Sequence, residues 1–155
     1  MKLKFSLIAW FVFVAIFSGC KHISFENNNW THFRGTNLDG MAENEKIPLK
    51  WDESVIQWKT EIHDRDHSSP VFYNDQIWLT TGTAGGHELY AVCIDFNSGE
   101  IIHDIKVFSR EEVERKHSLN TYASPTPCIE KNFVYVHYGS MGTACIDTKT
   151  GLVVW

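Results

Sequence analysis

The sequence predicts an all-β protein in which one unit of four short strands occurs twice. Aromatic residues are abundant, with six Trp, five Tyr and ten Phe in 155 residues, and such residues favour pleated sheets. Similar segments recur about fifty residues apart, which is typical of repeat architectures. No segment carries a convincing apolar stripe with a helical period. The best helical candidate, residues 109–117, is charged, and we expect a loop there.

The repeat is visible in two pairs of motifs. A Ser-Pro pair at 69–70 returns at 124–125, and the Cys-Ile-Asp motif at 93–95 returns at 145–147. Each Cys-Ile-Asp motif is followed by a glycine four residues after its aspartate, Gly99 in the first unit and Gly151 in the second. We therefore expect two structurally equivalent units, at 68–107 and 123–155.

Each unit is predicted to contain four strands. In the first unit we expect strands at 70–73, 76–81, 89–94 and 100–107, separated by turns and a glycine-containing loop. In the turn before the last strand, the carboxylate of Asp95 can accept hydrogen bonds from backbone amides. Gly99 can adopt a positive φ there without a Cβ clash. Asp147 and Gly151 are expected to do the same in the second unit.

Four-stranded units of this length are typical of β-propeller blades, because a twisted four-stranded sheet cannot cover both of its faces alone. The segment 144–151, Ala-Cys-Ile-Asp-Thr-Lys-Thr-Gly, with Trp155 four residues after its glycine, resembles the repeat of PQQ-type propellers. In the first unit, Ser98 and His103 stand at the threonine and tryptophan positions. This departure leaves the tryptophan-docking contact of that blade open.

The resemblance extends upstream, over the segments 30–40 and 51–60, to the leader of secreted bacterial PQQ-like proteins related to the outer-membrane assembly factor BamB. It implies a partial β-propeller of about two blades, the N-terminal part of a longer chain. It further implies that a strand containing Trp58 completes the final blade. The function implied is a non-catalytic, lipid-anchored scaffold of the cell envelope that binds a protein or carbohydrate partner.

The alternative is the N-terminal part of a PQQ-dependent quinoprotein oxidoreductase. Resemblance to those enzymes requires PQQ, a calcium ion with its oxygen ligands, an Asp base and commonly a vicinal Cys-Cys pair. The sequence contains no Cys-Cys pair, and no segment matches the calcium-binding pattern. We therefore predict no cofactor and assign no catalytic residue, and we leave the alternative open.

The N-terminal residues are predicted to target the chain to the cell envelope. Residues 1–19 combine Lys2 and Lys4 with an apolar run at 5–17, as in a signal peptide, and the run is too short to span a bilayer. Residues 17–20, Phe-Ser-Gly-Cys, have the form of a lipobox, which predicts lipidation of Cys20. An ordinary cleaved signal with a chance cysteine is the alternative. We expect residues 20–29 to form a polar tether, and Lys21 favours an outer-membrane location.

Charge excludes one class of partner. Residues 1–19 hold two of the 14 basic side chains and none of the 19 acidic ones, so the remainder has 12 basic and 19 acidic residues, a net charge of −7. An acidic surface repels phosphate backbones. We expect no nucleic-acid partner.

Few residues qualify as binding residues. We select His117 and Asn120, which precede the first strand of the second unit, because such connections line one rim of similar propellers. The alternative is that both are polar loop residues whose hydrogen bonds satisfy the backbone groups of a turn. His63 and His67 have a zinc-like spacing, but a nearby proline favours a solvated loop. We expect a simple turn at 36–40, a hydrogen-bonded strand histidine at His137, and free, buried thiols at positions 93, 128 and 145.

Overall fold

The computed structural model describes residues 29–42 and 48–155, and in them the chain is all-β. Its seven strands are β1 (Val71–Tyr73), β2 (Gln76–Gly82), β3 (Glu88–Asp95), β4 (Ile101–Ser109), β5 (Cys128–Glu130), β6 (Phe133–His137) and β7 (Thr143–Asp147). Two short 3-10 helices lie at Glu53–Val55 and Gly139–Met141. The expected signal peptide, the lipidation residue Cys20 and the tether up to residue 28 lie outside the described residues.

The strands form two antiparallel sheets, which confirms the predicted fold class. The first sheet has the order β1-β2-β3-β4 and the second the order β5-β6-β7. The second unit therefore has three strands instead of the expected four. After Gly151 the chain runs beside β7 without forming a named strand, with a bridge from Val153 to Ile146 and a hydrogen bond from the amide of Val154 to the carbonyl of Cys145 at 2.7 Å. The segment 110–127 between the sheets contains no α-helix, as expected.

The two sheets stack face to face. Val71, Trp78 and Cys93 of the first sheet are fully buried against Val134 and Ile146 of the second, in one continuous apolar core. The opposite face of the first sheet carries a smaller core of Leu79, Val92 and Ile94, which Trp58 and Ile62 cover. Because successive side chains of a strand point to opposite faces, alternate residues of each strand line the two faces of its sheet.

The two Asp-to-Gly turns have the same structure. Asp95 Oδ1 accepts the backbone amides of Asn97 and Ser98 at 2.9 and 2.7 Å. Asp147 Oδ1 accepts those of Lys149 and Thr150 at 3.0 and 2.8 Å. These hydrogen bonds, first among them the one to the second amide of each turn, hold the pKa of both carboxyl groups below its usual value. The predicted turn chemistry is confirmed at both positions.

Each turn ends in a glycine on which an aromatic ring rests. Gly99 has φ +75° and Gly151 has φ +71°. A Cβ on Gly99 would lie 2.6 Å from the ring of Trp58, and one on Gly151 would lie 2.8 Å from the ring of His103. His103 therefore makes the docking contact that the sequence left open. It packs on the turn of the second sheet and stacks on Trp78 with ring centroids 5.8 Å apart.

The segment around Trp58 forms no strand with the two described sheets, and its expected place in a final blade stays a prediction. Val55 ends a 3-10 helix, and residues 56–62 belong to no ladder in the described structure. The segment is held through side chains instead, since Trp58 Nε1 donates to the carbonyl of Phe96 at 2.8 Å and Thr60 donates to the carbonyl of Gly99. It covers a face of the first sheet without extending either sheet.

The N-terminal described segment joins the two sheets. Trp30 exchanges two backbone hydrogen bonds of 2.8 Å with Phe72 of β1. The amide of Ile129 in β5 donates to the carbonyl of Thr31 at 3.0 Å. Residues 30–31 therefore bridge the first strands of both sheets, and they fix the relative position of the sheets.

The three cysteines of the described residues are free thiols. Cys93 and Cys145 are free and buried, as predicted, while Cys128 is free and only partly buried. Burial raises the pKa of Cys93 to about 12. Within 29–42 and 48–155, no helix has the length and apolar character needed to cross a membrane.

Candidate functional site

The loops at one end of both sheets form the candidate site. In an antiparallel sheet, the segment entering β1, the β2–β3 loop and the segment leaving β4 lie at the same end. Arg65 confirms this placement by bridging to Gly82 at the end of β2. The matching loops of the second sheet meet them there, because Arg110 donates through its guanidinium to the carbonyl of Met141 at 3.0 Å. We call this end the rim.

The larger rim cleft has a volume of about 440 Å³ and lies between the first sheet and the connection that leads to the second sheet. Residues 64–67, which enter the first sheet, form one wall, and residues 82–84 form the floor beside them. The opposite wall comes from the connection between the sheets and includes Lys116, Ser118 and Asn120. Charged and hydroxyl side chains predominate in this lining, and they suit a polar ligand.

A smaller cleft of about 230 Å³ adjoins the larger one. Residues 114–117, 120–122 and 124–125 line one side of it, and the β6–β7 loop, residues 138–141, lines the other. Lys116, Asn120 and Tyr122 contribute to both clefts. The two clefts therefore share one wall, and a ligand that contacts this wall can engage both sheets.

Tyr122 fixes the shared wall. Its ring lies on Gly86 of the β2–β3 loop so closely that a Cβ there would come within 2.5 Å of the ring. Its hydroxyl donates to the carbonyl of Glu114 at 3.1 Å, and Lys116 Nζ lies 5.4 Å from the ring centroid. One aromatic side chain thus holds the β2–β3 loop against the connection between the sheets.

Hydrogen bonds between the sheets also position the rim. The amide of Ser69 donates to Thr126 Oγ1 at 3.1 Å, and the amide of His67 donates to the carbonyl of Ala123 at 3.4 Å. Ser68 is buried, and its hydroxyl accepts the amide of Thr80 at 3.1 Å. The two Ser-Pro motifs of the sequence repeat therefore lie at the entry of each sheet, where they anchor the cleft walls.

The larger cleft contains side chains of both charge signs. Asp64 and Asp66 alternate with Arg65 and His67 along one wall, and Lys116 lies on the other. Burial raises the pKa of Asp66, although hydrogen bonds from Ser68 oppose this shift. Such a mixture matches a partner that carries both donors and acceptors, as a polypeptide does.

The structure places both predicted binding residues on the clefts. His117 lines the smaller cleft and Asn120 lines both. His117 Nδ1 also accepts the amide of Leu119 at 3.2 Å, and its carbonyl accepts the amide of Asn120 at 3.0 Å. His117 therefore hydrogen-bonds to the backbone of its own turn, as the alternative proposed. Sequence analysis missed Tyr122 and Lys116, whose only sequence signal is their place in the connection between repeats.

His63 lies just before the cleft wall and is bound by two carboxylates. Its Nδ1 is 2.7 Å from Asp64 Oδ2 and its Nε2 is 3.0 Å from Asp104 Oδ1. Partial burial lowers the pKa of His63, but the hydrogen bonds to the two carboxylates raise it by more, and the net shift is upward. His63 and His67 lie in the predicted loop, with both nitrogens of His63 already engaged.

Nowhere in 29–42 or 48–155 do three His, Cys, Asp or Glu side chains come close enough to hold a metal ion. At 36–40 the chain forms a turn in which the amide of Gly40 donates to the carbonyl of Arg34 at 2.9 Å. His137 is a strand histidine whose Nδ1 lies 2.8 Å from Thr143 Oγ1. Both of these predictions are confirmed.

Comparison with known proteins adds no family to this description. No protein-family model, curated protein or solved structure gives a significant match to the chain. The case for function therefore depends on the geometry of the rim.

Proposed function

We propose that this protein is a non-catalytic binding module of the cell envelope whose rim clefts hold a protein partner. The observation that carries the proposal is a polar cleft of about 440 Å³ on which the entry segment and the β2–β3 loop of the first sheet converge with the connection to the second sheet. The opposite end of the sheets has tight turns, such as the Asp95-to-Gly99 turn. Ligands bind preferentially where loops converge on a rigid scaffold.

The mixture of charges favours a polypeptide as the partner. Asp64, Asp66, Arg65 and Lys116 offer donors and acceptors on facing walls, and a peptide backbone carries both kinds of group. A carbohydrate partner is the other outcome of the test. The same proposal includes an anchor formed by a lipid on Cys20. This anchor would hold the protein on the periplasmic face of the outer membrane, as in BamB-like proteins. It rests on the sequence motif alone.

Site-specific photo-crosslinking in the native cell tests the binding role. A photoreactive residue replaces Asn120, which contributes to both clefts, or Lys131, an exposed control in the β5–β6 turn at the opposite end. We expect a discrete protein adduct from position 120 and none from position 131. A glycan adduct at position 120 would assign the carbohydrate partner. Equal adducts from both positions, or none from position 120, would contradict the proposal.

Two further experiments separate the remaining parts of the proposal. Fatty-acid labelling of wild type and Cys20→Ser tests the anchor, and we expect label only in the wild type. Titration with PQQ and calcium, followed by quinone absorbance, tests the oxidoreductase alternative. Saturable binding of PQQ would overturn the non-catalytic assignment, whatever the result of the labelling.

A further inference from the structure

The two carboxylates of the larger rim cleft already have hydrogen-bond partners in the protein. Asp64 Oδ2 lies 2.7 Å from Nδ1 of His63, whose Nε2 contacts Asp104. Asp66 Oδ1 accepts a hydrogen bond of 3.2 Å from the hydroxyl of Ser68. The protein itself therefore satisfies at least one oxygen of each carboxylate.

Arg65 and Lys116, which line the same cleft on facing walls, lack such partners. Within the described ranges four ion pairs are formed, and neither side chain takes part in any of them. Nor does the guanidinium of Arg65 or the ammonium of Lys116 donate a hydrogen bond to another described residue. Two permanent positive charges thus face one cleft of an acidic protein without a described carboxylate to neutralise them.

Both cations are positioned by the fold. The backbone of Arg65 exchanges hydrogen bonds of 3.2 and 3.1 Å with Gly82 at the end of β2. Lys116 Nζ lies 5.4 Å from the ring centroid of Tyr122, a cation–π contact that holds the ammonium group and leaves its charge in place. Groups held in this way lose less conformational freedom when a ligand binds.

Uncharged donors complete the wall that carries Lys116. The hydroxyl of Ser118 and the carboxamide of Asn120 line the cleft beside it. In the described part of the chain neither side chain forms a hydrogen bond. The groups of the cleft that remain to be satisfied are therefore mainly donors, and they suit a ligand that accepts hydrogen bonds.

We propose that the larger rim cleft binds a carboxylate group of its polypeptide partner between Arg65 and Lys116. The inference rests on the proposed function and adds to it the chemical group that is recognised. Guanidinium and ammonium groups donate short, charge-assisted hydrogen bonds to a carboxylate. An acidic side chain and a C-terminal carboxylate are two sources of the same group.

Asp64 and Asp66 determine which anion fits. A carboxylate has one negative charge, whereas a phosphate group at neutral pH has about 1.5 to 2 and is repelled more strongly by the two aspartates. The backbone amides on either side of a peptide carboxylate can donate to Asp64 and Asp66. A peptide therefore uses the cations and the carboxylates of the cleft together, while a lone inorganic anion uses only the cations.

Photo-crosslinking in the native cell, combined with removal of each charge, tests the inference. A photoreactive residue replaces Ala84, which is exposed on the floor of the cleft and is not one of the proposed donors. We expect Arg65→Gln or Lys116→Gln to reduce the protein adduct from position 84 several-fold. Arg65→Lys keeps the charge and should retain more of the adduct than Arg65→Gln. Lys131→Gln, at the opposite end, is the matched control and should leave the yield unchanged. All three cations are exposed, so these substitutions leave the core intact.

The outcomes separate this inference from the proposed function. An adduct from position 84 with the same yield in wild type, Arg65→Gln and Lys116→Gln would overturn the carboxylate site and leave the binding role in place. A glycan adduct from position 84 would overturn the peptide carboxylate as the ligand. Absence of adducts from both position 84 and position 120 would contradict the proposed function itself, and the inference with it.

Defined peptides identify the source of the carboxylate. The probes, added to the full chain in a non-ionic detergent, are a blocked pentapeptide with one glutamate between alanines, its glutamine counterpart, and acetyl-tetra-alanine with a free C-terminus. We expect an acidic probe to shift the amide resonances of Gly82 and Thr83, which line the cleft. Its affinity should fall about tenfold in Arg65→Gln. The acidic probe that binds more tightly identifies the source. Binding of the glutamine probe as tight as that of the better acid, or no binding of either acid, would overturn the proposal.

Discussion

Replacement of Gly99 by alanine tests the docking contact between a turn and an aromatic ring. Gly99 has φ +75°, and an L-residue in the left-handed region costs about 1 to 2 kcal/mol. The new Cβ would lie 2.6 Å from the Trp58 ring, so the ring must move. Overpacking of this kind costs about 1 to 3 kcal/mol. We expect Gly99→Ala to lower the free energy of unfolding by about 2 to 5 kcal/mol in total.

Gly139 provides the matched control. Its φ is +61°, but no heavy atom lies within 4 Å of the position its Cβ would take. Gly139→Ala should therefore lower the free energy of unfolding by the backbone cost alone, about 1 to 2 kcal/mol. Urea unfolding followed by tryptophan fluorescence measures both variants. Equal losses in the two variants would refute the claim that the Trp58 ring rests on Gly99.

Three further predictions concern titrating groups and thiols. Asp147→Asn should lower the urea midpoint at neutral pH. Turn hydrogen bonds depress the pKa of the Asp147 carboxyl group. Its contribution to the stability of the fold is therefore present above pH 3.8, the ordinary pKa, and is lost as the pH falls through the folded pKa. The pKa of His63 is raised in the folded protein. Its contribution to stability is therefore complete below about pH 6.5 and is lost as the pH rises through the folded pKa. The difference in urea midpoint between wild type and His63→Phe should therefore shrink from pH 6 toward pH 9, and a constant difference would exclude this role. In dilute solution Ellman's reagent should react faster with Cys128 than with buried Cys93, and the reverse order would contradict the packing.

Local chemistry explains why the strands could be predicted from the sequence. The Asp95 carboxylate and Gly99 define a turn within five residues, and the same spacing recurs at Asp147 and Gly151. The alternation of buried residues, as in β6, follows directly from the pleat. These signals require no knowledge of distant contacts.

Contacts between residues that are distant in the chain could not be predicted. Trp58 lies on a turn some forty residues later, and its segment binds the first sheet through side chains, which no local pattern encodes. His103 takes the place expected for tryptophan because a flat ring can also rest on a bare glycine. Its position on Gly151 depends on how the sheets stack.

The candidate site was predictable only in part. His117 and Asn120 were placed on the rim by their position before the second unit, and the structure puts both on the clefts. Tyr122 and Lys116 meet the first sheet through an irregular connection whose path no periodicity encodes. The contact of Tyr122 with Gly86 exists only once both sheets are assembled.

The most direct test of the account is a nuclear Overhauser measurement on the folded chain in solution. In the structure the glycine of each Asp-to-Gly turn carries an aromatic ring from the segment that precedes its unit or from the preceding unit. We predict cross-peaks from the His103 ring to the Gly151 α-protons and from the Trp58 ring to the Gly99 α-protons. In a folded sample, absence of the His103–Gly151 cross-peak would contradict the stacking of the two sheets.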